Sequence, residues 1–194
     1  MAQLNNKIDE VIVTTLSANG EAHSAPMGIT RSNEQVLIQP FKPSTTYENL
    51  KRHGQCTINY TDDVRVFAGA LTGRRTWSTL PCQQIEGQYL KQALAHLELE
   101  LVIFEDSDPR ASFTGTIINE VMHAPFRGFN RAQNAVIEAA VLTSRLNMLP
   151  EDKVKQEISY LRLAIEKTAG DREREAWSWL IEKIEDYGIE VAHD

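Results

Sequence analysis

The sequence predicts an α+β protein in which a small antiparallel β-barrel is followed by a C-terminal segment of three helices. The first indication is a series of short β-branched or alternating segments between residues 11 and 123, separated by turn residues. The second is a change to helical spacing of apolar residues after Pro125. We therefore expect a barrel domain over residues 1–125 and a helical domain over residues 126–194.

Six segments carry the expected barrel strands, and one short helix is inserted among them. The strands are predicted at residues 11–16, 21–30, 36–40, 55–61, 96–106 and 112–123. The helix is expected to begin near Thr45, because Glu48 three residues later matches a capping box, and to stop at Gly54. Residues 62–92 contain several glycines and are left open between a strand, a short helix and a long loop.

The segment at residues 96–106 shows the clearest alternation in the chain. Its apolar face is formed by Leu97, Leu99, Leu101 and Ile103, with Glu98 and Glu100 between the leucines. This pattern is typical of a half-buried strand, so both glutamates are expected on its solvent face.

Apolar residues recur at helical spacing over three later segments. The predicted helices cover residues 130–149, 151–170 and 171–188. Pro150 separates the first two, and the short link around Gly170 makes the last two a helical hairpin.

Composition argues against several classes of function. The net charge of −7 and the absence of a basic run argue against a nucleic-acid partner. The N-terminus lacks a signal-peptide pattern, and no apolar run reaches membrane-spanning length. Cys56 and Cys82 have no metal-ligand spacing and the five histidines are scattered, so we expect reduced thiols, no metal and a cytoplasmic location.

The stretch SAPMGI, residues 24–29, places Pro26 and Gly28 inside an otherwise regular strand pattern. One interpretation is an edge strand or a bulge. The other is that a flat ligand lies against the backbone, with the N–H groups of Met27 and Gly28 facing its heteroatoms.

Two further segments are suited to anion binding. In KPSTTYENL, a predicted helix begins with three hydroxyl residues, Ser44, Thr45 and Thr46. Their presence is explained either by a bound phosphate or by simple capping of the helix. FRGFNRAQN places Arg127 and Arg131 on either side of Asn130, the predicted N-cap of a helix. These arginines would either contact a phosphate or face solvent in a loop at the domain junction.

Taken together, VIVTTLSANGEAHSAPMGI, KPSTTYENL, INYTDD and FRGFNRAQNAVIEAAVLTSRL resemble an uncharacterised family of FMN-binding split-barrel proteins of archaea and methanopterin-using bacteria. The resemblance covers nearly the whole chain. It implies a homodimer that holds FMN at the subunit interface. The cofactor-binding residues it implies are Ala25, Pro26, Met27, Gly28, Ser44, Thr45, Thr46, Tyr47, Asn49, Asn59 and Arg131.

The function expected from this resemblance is FMN binding, in an oxidoreductase of undefined substrate with a link to methanopterin-dependent one-carbon metabolism. The alternative is a non-catalytic flavin-binding or assembly module. No side chain stands out as an obligatory acid or base, so no catalytic residue is assigned.

Overall fold

The computed structural model describes residues 7–191, and six of its strands form a closed antiparallel barrel in the order β1-β2-β3-β8-β7-β4. The strands of the barrel are β1 Ile8–Leu16, β2 Ala22–Arg31, β3 Gln35–Ile38, β4 Gln55–Tyr60, β7 Ala95–Glu105 and β8 Ser112–Met122. The barrel is filled by apolar side chains that include Val11, Val13, Ile58, Leu97 and Phe113. The predicted α+β class and antiparallel barrel are confirmed.

A two-stranded ribbon, β5 Thr79–Pro81 and β6 Gln88–Leu90, lies outside the barrel sheet. It is tied to β4, because the Thr57 hydroxyl donates to the Gln88 carbonyl (2.8 Å) and the Leu90 N–H donates to the Asn59 amide oxygen (2.7 Å). We call residues 79–90 the ribbon.

Residues 7–191 contain five helices, one more than the inserted short helix and the three C-terminal helices that the sequence predicts. They are α1 Thr45–His53, α2 Arg65–Leu71, α3 Arg131–Thr143, α4 Glu151–Thr168 and α5 Asp171–Asp186. Helix α2 falls in the stretch that the sequence leaves open. The helix expected to reach Leu149 ends at Thr143, and residues 144–149 form turns instead.

The chain divides into two compact units. The barrel unit comprises the residues up to 61 and residues 76–126, and the helical unit comprises residues 62–75 and those from 127 onward. In the helical unit, apolar residues of α2 to α5, such as Ala68, Val136, Ile158 and Leu180, form a separate core. No helix among residues 7–191 is long and apolar enough to cross a membrane. The cytoplasmic location stays a prediction.

Candidate functional site

The first seven residues of β2 form a half-buried sheet edge. Its pairing with β1 runs without a register shift from Ile8 opposite Thr30 to Leu16 opposite Ala22, whereas β3 pairs only with residues 29–31 of β2. Among the described residues, residues 22–28 therefore have β1 as their one neighbouring strand, and we call them the free edge. Pro26 is tolerated there because it removes no ladder hydrogen bond. The strand is an edge and not a bulge.

Packing within the barrel explains why position 28 is a glycine. A Cβ atom at this position would lie 2.8 Å from Cγ2 of Ile8 on β1, a separation that real Cβ atoms essentially never show. Since Cγ2 belongs to a β-branched side chain, it cannot swing away as the end of a long side chain would. The absent side chain is thus explained by Ile8, while the backbone of the free edge stays available to a ligand.

The N-cap of helix α1 lies one residue before the predicted cap, so the prediction of Thr45 as N-cap is wrong. Ser44 is the cap, and its hydroxyl accepts from the N–H of Tyr47 at 3.2 Å. Gly54 ends the helix in the left-handed conformation (φ 73°), as predicted. Thr45 becomes the first helical residue and is exposed.

Thr46 is the hydroxyl residue with unused hydrogen-bonding capacity at the start of α1. It is 2% exposed, and its hydroxyl makes no hydrogen bond with another residue of the range 7–191. No buried side-chain oxygen of the described residues lacks a hydrogen-bond partner, so the unpaired Thr46 oxygen still reaches solvent and is open to one external partner. The N-terminal end of α1 also carries a partial positive charge, which favours an anionic partner.

Tyr47 and Lys42 bind the loop that follows β7. The Tyr47 hydroxyl donates to Oδ1 of Asp106 at 3.0 Å, and Lys42 forms ion pairs with Asp106 (2.7 Å) and Asp108 (2.9 Å). The Lys42 ammonium, with help from Tyr47 and Lys51 and against partial desolvation, lowers the pKa of Asp106 to about 2. Lys42, which precedes the three hydroxyl residues in the sequence, is therefore already paired.

Two of the residues predicted to contact FMN, Asn49 and Asn59, use their side chains to link elements of the barrel unit. The Asn49 side chain donates to the Thr15 hydroxyl at 3.0 Å, which links α1 to β1. Asn59 is fully buried, donates to the Ile12 carbonyl at 3.0 Å and accepts from Leu90. Both amides position strands and helices around the free edge.

Arg131 lies in the helical unit, exposed on the first turn of α3. Asn130 is the N-cap of α3 as predicted, and its side-chain oxygen accepts from the N–H groups of Ala132 (2.8 Å) and Gln133 (3.3 Å).

A buried polar cluster around Glu98 was missed by the sequence analysis. Glu98 is 0% exposed, so its predicted place on a solvent face is wrong, whereas Glu100 is exposed as expected. Its carboxylate accepts from the backbone N–H groups of Gln83 (2.9 Å), Gln84 (2.7 Å) and Ile85 (3.2 Å) in the ribbon. Burial alone would raise the pKa of Glu98, but these amides, His96 and Asn119 stabilise the anion and leave the pKa below its usual value.

His96 connects this carboxylate to a second histidine. Its Nε2 lies 3.3 Å from Oε1 of Glu98, and its Nδ1 lies 2.8 Å from Nε2 of His123. Because the ionised Glu98 can only accept, Nε2 of His96 carries a hydrogen, and Nδ1 of the neutral ring accepts from His123. Burial lowers the pKa of His96 against the opposing influence of Glu98. Tyr89 stacks on the His96 ring at a centroid distance of 4.0 Å.

Cys82 adds a possible metal ligand to the same cluster. Its sulfur, a ring nitrogen of His96 and a carboxylate oxygen of Glu98 lie within 4.8 Å of one another, although their sequence spacing does not suggest it. Both oxygens of Glu98 already accept hydrogen bonds, and burial raises the pKa of the Cys82 thiol to about 12. The arrangement therefore anchors the ribbon more readily than it accepts a cation.

Solved structures of other proteins share this fold. The FMN-bound protein MM1853 of Methanosarcina mazei aligns over 93% of this chain and 96% of its own, with a TM-score of 0.78 and 23% identity. The 2-nitrobenzoate 2-nitroreductase NbaA of Pseudomonas fluorescens aligns over 63% of this chain and 68% of its own, with a TM-score of 0.51 and 17% identity. These likenesses show the fold.

Family models cover most of the chain. Residues 9–124 match the model described as "Protein of unknown function (DUF447) N-terminal domain", and residues 130–182 match "Protein of unknown function (DUF447)". The chain belongs to the DUF447 family, which confirms the resemblance. It is also 24% identical over 185 residues to the uncharacterized protein MJ1453 of Methanocaldococcus jannaschii, covering 86% of this chain and 92% of that protein.

Proposed function

We propose that the barrel unit binds FMN, with the isoalloxazine ring along the free edge of β2 and the phosphate at the start of α1. The observation that carries the proposal is the pairing of an open strand edge with the unpartnered Thr46 hydroxyl. Helix α1 packs against both β1 and β2, so the two features belong to one part of the barrel unit. A family member of the same fold has been solved with FMN bound, which supports the choice of ligand.

The predicted residues then divide into two roles. Ala25, Pro26, Met27 and Gly28 present backbone to the ring, and Thr45 and Thr46 bind the phosphate. Ser44, Tyr47, Asn49 and Asn59 act as positioning residues, because their polar groups already bind other parts of the barrel unit. Arg131 was also predicted to contact FMN, but its surroundings in the helical unit favour the role argued below.

Homodimer formation at the flavin site is part of the same proposal. The barrel unit exposes several large apolar side chains, among them Ile8, Phe41, Val102, Ile103, Phe104 and Met122. Consecutive exposed apolar residues, such as Val102, Ile103 and Phe104, are typical of a surface covered by another chain. A second copy of this chain would bury them and enclose a ring at the free edge.

We favour a flavin-dependent oxidoreductase over a non-catalytic flavin-binding or assembly module. Bound FMN would supply hydride chemistry, while this chain holds the ring and the phosphate in place. The oxidoreductase class is supported by the fold shared with the nitroreductase NbaA. The link to methanopterin metabolism rests on the sequence resemblance alone. Anaerobic addition of NADH or NADPH distinguishes the two classes, since a reductase would bleach its flavin and a carrier would not.

The test of binding is a titration of the flavin-free chain with FMN, in which quenching of the flavin fluorescence measures the bound fraction. Thr46→Val removes the hydroxyl at nearly constant volume and should weaken affinity about tenfold, the effect of losing one hydrogen bond to a charged group. Thr143→Val is the matched control, because Thr143 is a buried threonine of the helical unit that bonds the Ala139 carbonyl (2.7 Å). Equal FMN affinity in the wild type and Thr46→Val would refute the phosphate assignment.

A further inference from the structure

The helical unit contains an open cleft between the first turn of α3 and the C-terminal half of α4. Its volume is about 490 Å³, within the range of small-molecule sites. The residues that line it are Phe129, Asn130, Arg131, Asn134, Ala135, Tyr160, Leu161, Leu163, Ala164 and Lys167. We call it the α3–α4 cleft.

Hydrogen bonds hold the two helices together at this point. The Asn130 side chain donates to the Thr168 carbonyl at 3.0 Å, and the Ala132 N–H donates to the Thr168 hydroxyl at 3.1 Å. The first amides of α3 are thus occupied within the protein. Any ligand in the cleft would be bound by side chains and not by the helix terminus.

The charged side chains of the cleft are both cationic. Arg131 and Lys167 line it, and neither forms an ion pair with another residue in the described part of the chain. No carboxylate belongs to the lining, although the whole chain carries a net charge of −7. Two unpaired cations that line one cleft without an acid favour an anionic ligand.

Apolar surface is exposed in the same place. Phe129 is 100% exposed, Tyr160 76% and Leu163 51%. Aromatic rings beside cations are the usual surroundings of a planar ring that carries a negative charge, because stacking binds one part and ion pairing the other.

We infer that the α3–α4 cleft binds a planar aromatic anion, a ring system carrying a phosphate or a carboxylate, in addition to the flavin proposed for the barrel unit. Arg131 and Lys167 bind the anionic group, Tyr160 and Phe129 contact the ring, and the exposed Asn134 amide is available to a ring heteroatom.

A second cleft of the helical unit lacks this chemistry. It is lined by Arg74, Arg75 and Lys183, but also by Glu182 and Asp186. Arg74 is already stacked on Trp179 (4.7 Å) and paired with Glu182 (3.3 Å). Lys183 therefore offers a matched control for a lysine outside the α3–α4 cleft.

The test uses the full chain as purified, with its FMN content recorded, and isothermal titration with four probes: 1-naphthyl phosphate, 2-naphthoate, 1-naphthol and inorganic phosphate. One of the two aromatic anions should bind at least about tenfold more tightly than either the neutral ring or the bare anion. The stronger of the two identifies the acid group that the cleft prefers.

Arg131→Gln and Lys167→Gln should each weaken the preferred probe at least about tenfold, while Lys183→Gln leaves it unchanged. FMN content should be the same in all variants, so a failure here is separable from a failure of the flavin proposal. The inference is overturned if neither aromatic anion binds at about 1 mM, if the two variants bind like the wild type, or if the probe displaces FMN.

Discussion

The carboxylate of Glu98 accepts a hydrogen bond of 2.7 Å from the backbone N–H of Gln84, which fastens the ribbon to β7. The same carboxylate accepts hydrogen bonds from two further backbone N–H groups of the ribbon and from His96. A buried residue of β7 therefore attaches the ribbon to the barrel.

Replacing this carboxylate should destabilise the barrel. In Glu98→Gln the side chain brings an amide N–H₂ against the ribbon N–H groups, and we expect the free energy of unfolding to fall by about 2–3 kcal/mol. Urea denaturation measures it, with Glu100→Gln on the exposed face as the control that changes stability by less than about 0.5 kcal/mol. Equal stability of the two variants would contradict the anchoring role.

The sequence predicts the barrel strands well, because their apolar periodicity is a local property. It fails at Glu98, because the ribbon that buries this residue lies in a stretch without apolar periodicity. The cap of α1 is misplaced by one residue because Ser44, Thr45 and Thr46 are all able to cap. The cluster of Cys82, Glu98, His96 and His123 depends on strand register and ribbon position, neither of which has a local signal.

The alternation in β7 also fails at its far end. Leu97 and Leu99 are buried as predicted, but Ile103 is exposed. The register shifts between Leu101 and Ile103, where Val102 has no partner residue on β8, and this shift interrupts the period of two. Such irregularities depend on the partner strand β8 and are not visible in the segment itself.

Stability should fall as the pH is lowered from 7 to 4. The pKa of His96 is below its ordinary value in the folded chain, so the unfolded chain takes up a proton first, near pH 6.5. The pKa of Glu98 is also lowered, so its contribution is complete above its unfolded pKa and is lost as the pH falls through the folded one. Urea unfolding at several pH values measures both.

A variant separates the histidine from the other titrating groups. His96→Gln should flatten the dependence of the unfolding free energy on pH between 7 and 5, whereas His53→Gln, which alters an exposed contact with the Glu86 carbonyl, should not. A steep slope retained in His96→Gln would show that other groups cause it.

A double-mutant cycle tests the packing explanation of Gly28. Gly28→Ala should destabilise the chain by about 1–3 kcal/mol, because the new methyl group overlaps Ile8. In the Ile8→Ala background the same substitution should cost much less, since the overlapping atom is gone. Thermal or urea unfolding of the four proteins gives the coupling energy. A coupling near zero would show that Ile8 is not the reason for the glycine.

The dimer proposal predicts a change in mass on adding charge to the exposed part of β7. Ile103→Lys should shift the chain from dimer to monomer in light scattering after gel filtration, because a buried unpaired charge is unfavourable in an interface. Leu163→Lys, an exposed leucine of the helical unit, is the control expected to leave the mass unchanged. A wild-type chain that runs as a monomer would refute the proposal directly.

The most direct test of the account is a crystal structure of the chain grown with FMN. We predict an isoalloxazine ring along residues 25–28 of β2 and a phosphate oxygen within hydrogen-bond distance of the Thr46 hydroxyl. Flavin density elsewhere, or a free edge of β2 occupied by another strand of the protein, would contradict the proposed site.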